Sequence, residues 1–263
     1  MRYQRTTGLM ATQMQELVIR VGKALTEPWS KPVGRPKSLG LYRAVEVACM
    51  YLRQNGTEEF IGDLLDISQS TVSRIVTTLV PILKAVLEEF VPDAKDAVMM
   101  VKGRVCLVDG TITPCWSYDE HPELWSRKKG TTGFNSQVIS LLDGTPVYLS
   151  DPLPGKTHDV LAFTETPVKQ IVQESGGAIA DKGYQGHIDA TPRKTPPGGQ
   201  LGERDKECNA EISALRAPIE RVVAHVKSWR ILHTDYRRPY HTYRDAYNAA
   251  RGLFFFSINW GFE

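Results

Sequence analysis

The chain has 263 residues, of which 41% are hydrophobic and 24% are charged, as in an ordinary globular protein. This length suffices for two domains with a large buried core, so folding needs no disulfide or structural metal, and disorder is excluded for most of the chain. The net charge of +2 is spread unevenly, because residues 1–40 and 216–251 each carry five more basic than acidic residues while the stretch between them is acidic. Such segments can hold phosphates and divalent metal ions, but solvated surface charge explains the pattern equally well.

The cysteines and the apolar runs indicate a reduced, soluble protein. Four cysteines are scattered without a C-x-x-C pair, and Cys106, Cys115 and His121 match no standard zinc spacing. Residues 1–15 lack the apolar core of a secretory signal, and the apolar run at 253–260 is too short to span a bilayer. We therefore expect a cytoplasmic protein.

The first 95 residues predict a small all-α domain. Apolar residues at helical spacing predict helices over 13–25 and 41–53. Between them, residues 27–37 form a proline-rich linker whose basic part, 31–37, could follow DNA phosphates or enter a minor groove.

Residues 57–83 have the pattern of a helix-turn-helix. One helix is predicted over 57–65, and a second begins after Ser68, a favourable N-cap residue. Pro81 should kink or break this second helix near residues 79–80. Four outward-facing polar residues suit base edges and phosphates: Gln69, Ser70, Ser73 and Arg74. An ordinary helical hairpin is the alternative, and the acidic surplus of residues 41–90 favours it.

From about residue 96 the pattern predicts an α/β or α+β domain that extends to residue 263. Strands are expected at 104–108, 134–142, 147–149 and 177–180, with helices at 160–173, 209–232 and 243–260. The Asp143-Gly144 pair should form a hairpin turn. Residues 193–206 are expected to be a loop that is mobile without DNA.

Three acidic residues are candidate metal ligands. Asp109 and Asp181 each follow a predicted strand, and Glu220 lies on a predicted helix, so rigid elements could bring the three carboxylates around two divalent ions. Each has a simpler explanation, because Asp-Gly is a turn signal and Glu220 could pair with Arg216 one helical turn away. His158 and Asp159 could join the site, although Asp159 as a helix cap is the simpler interpretation.

Five motifs in a fixed order resemble the DDE-type transposases, in particular the PIF/Harbinger-like and related bacterial insertion-sequence enzymes. They are Val108-Asp109-Gly-Thr111, Gly133-Phe134 with Gln137, Pro154-Gly155 with His158-Asp159, Ala180-Asp181-Lys-Gly-Tyr184, and Asn209 to Leu232 with Arg216, Glu220 and Lys227. The segment Ser68 to Arg74 is similar to the N-terminal domain of that family.

The resemblance implies an RNase H-like catalytic domain, a mixed sheet flanked by helices, in which Asp109, Asp181 and Glu220 bind two Mg²⁺ ions that Mn²⁺ can replace. It also implies DNA contacts by Lys227 near the scissile phosphate. The full set of expected DNA-binding residues is Gln69, Ser70, Ser73, Arg74, Lys182, Arg216, Lys227, Arg230, Arg237 and Arg238.

The function implied is that of a cut-and-paste transposase. Its partners would be the terminal inverted repeats and the target DNA, and it would form a homodimer or a higher assembly on them. The alternatives are a domesticated, non-catalytic DNA-binding protein and a metal-dependent endonuclease without strand transfer. A small-molecule enzyme is least supported, because no glycine-rich nucleotide loop is present.

Overall fold

A computed structural model describes residues 3–30 and 37–259, so most of the predicted basic arm at 31–37 lies outside the described residues. The helices are α1 (Tyr3–Thr6), α2 (Ala11–Ala24), α3 (Leu41–Gln54), α4 (Glu58–Leu65), α5 (Gln69–Leu87), α6 (Ala94–Val101), α7 (Asp159–Glu165), α8 (Val168–Gln173), α9 (Glu203–Lys227) and α10 (Tyr243–Asn259). The strands are β1 (Cys106–Pro114), β2 (Trp125–Ser126), β3 (Thr131–Leu141), β4 (Pro146–Leu149), β5 (Leu153–Pro154) and β6 (Ala178–Ala180). Two compact units result, one from residues 1–91 with 227–263 and the other from 92–226.

The first unit is helical, and the predicted helices at its start are confirmed. Helices α4 and α5 are joined by the three residues Asp66 to Ser68, and the Ser68 hydroxyl accepts a hydrogen bond from the Thr71 N–H. Helix α5 runs through Pro81 to Leu87, so of the kink or break expected there, the break does not occur. Its buried face, with Leu79, Leu83 and Leu87, packs against α3 and α10, and this burial outweighs the loss of one backbone hydrogen bond.

The last helix of the chain belongs by its contacts to this first unit. Helix α10 packs against α5 and α3, and Lys84 of α5 pairs with Asp245 of α10 at 2.9 Å. The predicted domains, 1–95 and 96–263, follow chain order instead, and that division stays a prediction. Within the described ranges, no helix combines the length and apolar character that a membrane span requires.

The second unit contains a mixed sheet in the order β2-β3-β1-β6, with β4 and β5 also paired to β3. Strand β3 runs antiparallel to β1, whereas β6 runs parallel to β1. One face of the sheet, which includes Val108 and Ala180, packs against α6, α7 and α8 in a buried apolar core. Because successive residues of a strand point to opposite faces, Asp109 points away from this core. Arg216 of α9 contacts Asp109 there, so helices flank both faces of the sheet.

The predicted hairpin from β3 to β4 is confirmed, but several boundaries differ. The helix expected at 160–173 is two short helices, α7 and α8, separated at Pro167, because the residue before a proline disfavours helical geometry. Helix α9 begins at Glu203 and ends at Lys227, so the loop predicted to reach 206 and the helix predicted to reach 232 were both wrong at those ends.

Candidate active site and nucleic-acid interface

Asp109 and Asp181 are neighbours on adjacent parallel strands. Val108 of β1 pairs in register with Ala180 of β6, and each is followed directly by one of these aspartates. Paired strands lie about 4.8 Å apart, so the two carboxylates share one edge of the sheet. Asp181 follows the end of its strand as expected, but Asp109 lies inside β1 rather than at its end, because β3 pairs with all nine residues of β1.

Backbone N–H groups orient both carboxylates. Asp109 Oδ1 accepts a hydrogen bond from the Gly110 N–H at 2.9 Å. Asp181 precedes a single 3₁₀ turn, Lys182–Tyr184, and its Oδ1 accepts from the Gly183 N–H at 2.7 Å. These contacts leave the second oxygen of each carboxylate for other partners.

Asp159 supplies a third carboxylate to this edge, and its expected role as a helix cap was wrong. His158 is the N-cap of α7, without a side-chain cap bond, and Asp159 is the first helical residue. Asp159 Oδ1 instead accepts a hydrogen bond from Asn135 Nδ2 at 3.2 Å, and its other oxygen pairs with Lys128. A Cβ atom on Gly110 would lie 2.6 Å from Asp159 Oδ1. Any residue other than glycine at this position would therefore clash with the Asp159 carboxylate.

Two cations face the carboxylates. Arg216 Nη2 lies 3.4 Å from Asp109 Oδ2, with both side chains largely buried. The Lys128 ammonium pairs with Asp159. Burial lowers the pKa of Lys128, but Asp159, Asp181 and Asp109 together outweigh it, so the pKa lies above its usual value. Lys128 was missed from the sequence, although the basic run from Arg127 to Lys129 was a visible signal.

The three carboxylates shift the pKa values of Asp109 and of the buried Tyr184 beside them. Burial raises the pKa of Asp109, and Asp181 and Asp159 add to the effect, while Arg216 and the Gly110 N–H lower it. Burial and the same three carboxylates raise the pKa of Tyr184, whose hydroxyl donates to Gln137 Oε1 at 2.6 Å. A divalent cation would relieve this concentration of negative charge.

Glu220 is not gathered with the other acids. It lies exposed on α9, one helical turn after Arg216, so its Cα is about 6 Å along the axis from the residue that contacts Asp109. Among the described residues, no group of three or more His, Cys, Asp or Glu side chains is arranged to hold a metal ion. The structure therefore brings Asp109 and Asp181 together, adds Asp159, and leaves Glu220 on the neighbouring helix.

Four of the expected DNA-binding residues lie on the helix-turn-helix. Gln69, Ser70 and Arg74 are exposed there, and Ser73 is partly exposed. Arg74 Nε donates to the Ser70 carbonyl at 2.9 Å, so its position follows the helix surface.

The remaining cations differ in exposure. Lys182 and Arg230 are exposed, and Lys227 is partly exposed at the end of α9. Arg237 donates to Asn55, and Arg238 pairs with Glu58 and donates to Thr77 Oγ1 at 2.7 Å. These last two therefore connect the segment before α10 to the helix-turn-helix.

Comparison with known proteins identifies the family. The family described as DDE superfamily endonuclease matches residues 108–253, and the helix-turn-helix of DDE superfamily endonuclease matches residues 47–89. A Microchaete diplosiphon protein named as a probable transposase for insertion sequence element IS702 is 27% identical over an alignment of 268 residues. The alignment covers 98% of this chain and 94% of that protein. A Streptomyces albus G protein named as a putative transposase for insertion sequence element IS112 is 31% identical over 229 residues, which cover 86% of this chain and 83% of that protein. The chain therefore belongs to the DDE-type insertion-sequence transposases of the DDE endonuclease superfamily, with a helix-turn-helix ahead of an RNase H-like α/β domain.

Proposed function

We propose that this protein cuts DNA at the ends of an insertion sequence and joins the freed ends to target DNA. The observation that supports this most directly is the register of β1 and β6, which sets Asp109 beside Asp181 on adjacent parallel strands. Hydrolysis at the element's end and attack by the freed 3′-OH are both displacements at a phosphodiester, so one site can serve both steps.

Asp109, Asp181 and Glu220 would hold two divalent ions, Mg²⁺ or Mn²⁺. The donor set fits, because carboxylate oxygens are the ligands these ions prefer and because burial and neighbouring carboxylates already raise the pKa of Asp109. When bound, such ions activate the attacking oxygen and stabilise the leaving oxygen. Glu220 lies one helical turn after Arg216 on α9. It would reach the two aspartates by turning its exposed side chain along the helix towards Asp109.

The chain's own cations would position the DNA strand at this edge. Lys182 directly follows Asp181 and is exposed, and Arg216 already contacts Asp109. Lys227, Arg230, Arg237 and Arg238 would bind backbone phosphates further along, so binding should weaken steeply with salt. The exposed polar residues of the helix-turn-helix, Gln69, Ser70, Ser73 and Arg74, would contact the terminal inverted repeats. Pairing two DNA ends requires a homodimer or a higher assembly.

The test is a cleavage and joining assay on the DNA that flanks the coding region, with Mg²⁺ and with target plasmid. Asp109→Asn, Asp181→Asn and Glu220→Gln should each abolish both products while leaving DNA binding intact. Matched controls are Asp119→Asn and Glu211→Gln, which change exposed acids, the second on α9 as well.

The outcomes separate the alternatives. DNA binding with no metal-dependent cleavage by the unmodified protein would favour a non-catalytic DNA-binding protein. Nicked product that never becomes joined would favour an endonuclease without strand transfer. Full activity in any of the three acid variants would overturn the triad.

A further inference from the structure

A pocket of about 290 Å³ opens in the α/β unit beside the acidic edge, which consists of Asp109, Asp181 and Asp159. It is formed by residues 110–112 of β1, the segment 125–129 and the segment 155–159, together with Asn135 of β3. Its volume is at the lower end of the range for small-ligand sites, roughly 300 Å³. Asp159 belongs to both the pocket and the acidic edge, and Gly110 of the pocket directly follows Asp109, so a group bound in the pocket would lie next to Asp109.

The lining of this pocket is strongly basic. Arg127, Lys128, Lys129 and Lys156 all line it, and Asp159 is the one acidic residue among the residues that form its wall. That carboxylate is already paired with Lys128. Within the part of the chain that the structure describes, Arg127, Lys129 and Lys156 are therefore left for an anionic ligand. A phosphate is the anion that clustered Lys and Arg side chains suit best.

A large aromatic surface forms part of the same wall. Trp125 is 49% exposed although it lies on a strand, β2, that pairs with Thr132 of β3. Trp125 and its strand neighbour Ser126 both line the pocket, so the exposed indole is available to a group bound there. An indole beside cations offers a stacking surface for a nucleobase whose phosphate those cations hold.

One buried polar atom at the pocket wall has no hydrogen-bond partner among the described residues. It is Asn135 Oδ1, which is unpaired although the residue is only 4% exposed. Asn135 uses its amide nitrogen to donate to the Thr157 carbonyl at 2.8 Å, which leaves its oxygen to accept. Leaving a buried polar atom unpaired costs free energy, so a ligand that donates to this oxygen would be favoured.

We propose that this cation–tryptophan pocket, formed by Trp125, Arg127, Lys129, Lys156 and Asn135, binds one unstacked nucleotide of the DNA strand beside the scissile phosphate. The base stacks on Trp125, Lys129 and Lys156 hold a backbone phosphate, and Asn135 Oδ1 accepts from a base amino or imino group. The proposal rests on the proposed function, since it takes DNA as the substrate. It adds that the strand must be locally unpaired, because a base inside a duplex cannot reach the indole.

The test measures binding of the full-length protein to a fluorescein-labelled dT₁₂ oligonucleotide by anisotropy, in EDTA. A short single strand avoids the duplex contacts of the helix-turn-helix, and EDTA removes any contribution from metal ions or cleavage. Trp125→Ala should weaken binding about 5- to 100-fold, the range that loss of one base–aromatic stack produces, and Trp125→Phe should recover most of it. The matched control is Trp116→Ala, which removes a similarly exposed tryptophan, 54% exposed, outside the pocket.

The phosphate contact has its own readout. Lys129→Ala should lower the slope of log affinity against log salt by about one, and Lys169→Ala, an exposed lysine on α8, should not. Thermal unfolding of each variant confirms that it is folded. Unchanged dT₁₂ affinity in Trp125→Ala, or an equal loss in Trp116→Ala, overturns the pocket. Loss of binding in Trp125→Ala supports it even if the unmodified protein cleaves no DNA, a result that would count against the proposed function alone.

Discussion

Arg216 of α9 contacts Asp109 of β1 through a 3.4 Å pair between Nη2 and Oδ2. The contact connects the helix that carries Glu220 to the strand that carries the first acid. It is also the interaction that most strongly opposes the rise in the pKa of Asp109 caused by burial. Arg216 is therefore the cation that compensates the charge of Asp109 from the helix that carries Glu220.

Replacing Arg216 with Met should destabilise the protein in a pH-dependent way. Without its cation, the largely buried Asp109 carboxylate is left uncompensated, so we expect a loss of about 1–3 kcal/mol in the free energy of unfolding at pH 7. The folded-state pKa of Asp109 rises further above the unfolded value, so stability is retained below pH ~4 and lost as pH rises. Urea unfolding in EDTA at pH 4 and pH 7 measures this difference.

A double-mutant cycle separates the pair from the general effect of losing a charge. Asp109→Asn combined with Arg216→Met should show a coupling free energy of roughly 0.5–3 kcal/mol. Arg221→Met, which removes an exposed arginine of the same helix, is the control and should change stability little. A pH-independent deficit in Arg216→Met would mean that the pair with Asp109 is not its source.

Gly110→Ala should disturb the acidic edge without changing any charge. The new methyl group would lie 2.6 Å from Asp159 Oδ1 and 3.2 Å from Gln137 Nε2, so we expect a loss of about 1–3 kcal/mol from overpacking. The second substitution Asp159→Ser should recover much of that loss by shortening the side chain. Calorimetry compares these variants with Gly199→Ala, where the added atom meets only ordinary contacts.

The order of most of the longer elements could be predicted from the sequence, because period and turn residues are local signals, whereas α6 and the two-residue strands β2 and β5 were missed. Asp143-Gly144 indicated the hairpin and Ser68 indicated the start of α5, and both are confirmed. The position of Asp109 within β1 could not be predicted in this way. Asp109-Gly110 is a turn signal in isolation, and only the long pairing of β1 with β3 keeps the strand extended through it.

The candidate site could be predicted only in part, because some of its features are local in sequence and others depend on distant residues. Two aspartates that follow predicted strands were local features, and their adjacency came from the parallel pairing of β1 with β6. The orientation of Asp159 depended on Lys128 and Asn135, which are 31 and 24 residues away in the chain. Sequence spacing carries no such information, so helix capping was the simpler but wrong interpretation.

Only one of the four cysteines should react readily in the folded protein. Burial raises the pKa of the Cys49 and Cys106 thiols, and Cys115 is also buried, whereas Cys208 is exposed on α9. Because the thiolate is the nucleophile, iodoacetamide at pH 8 should modify Cys208 first, as peptide mass spectrometry can show. The other three should react only after denaturation, and early labelling of Cys106 would contradict the packing of β1.

Glu58 should be important for the stability of the helical unit, because it joins three elements. Its Oε1 pairs with Arg238, and its Oε2 accepts from Gln69 Nε2 at the start of α5. Both partners of the ion pair are only 17% exposed, so Glu58→Gln should cost about 1–3 kcal/mol in urea unfolding. Glu59→Gln, at the exposed neighbouring position, is the matched control and should cost little.

The same contact determines how the expected DNA-binding role of Arg238 has to be tested. Arg238→Ala removes both a possible phosphate contact and the ion pair with Glu58, so lower DNA affinity alone would not separate the two. Glu58→Gln keeps the guanidinium and removes only the ion pair. If Arg238 binds phosphate, Glu58→Gln should retain duplex affinity and its salt slope, while Arg238→Ala lowers that slope by about one. Equal losses of affinity with unchanged slopes in both variants would assign Arg238 to folding instead.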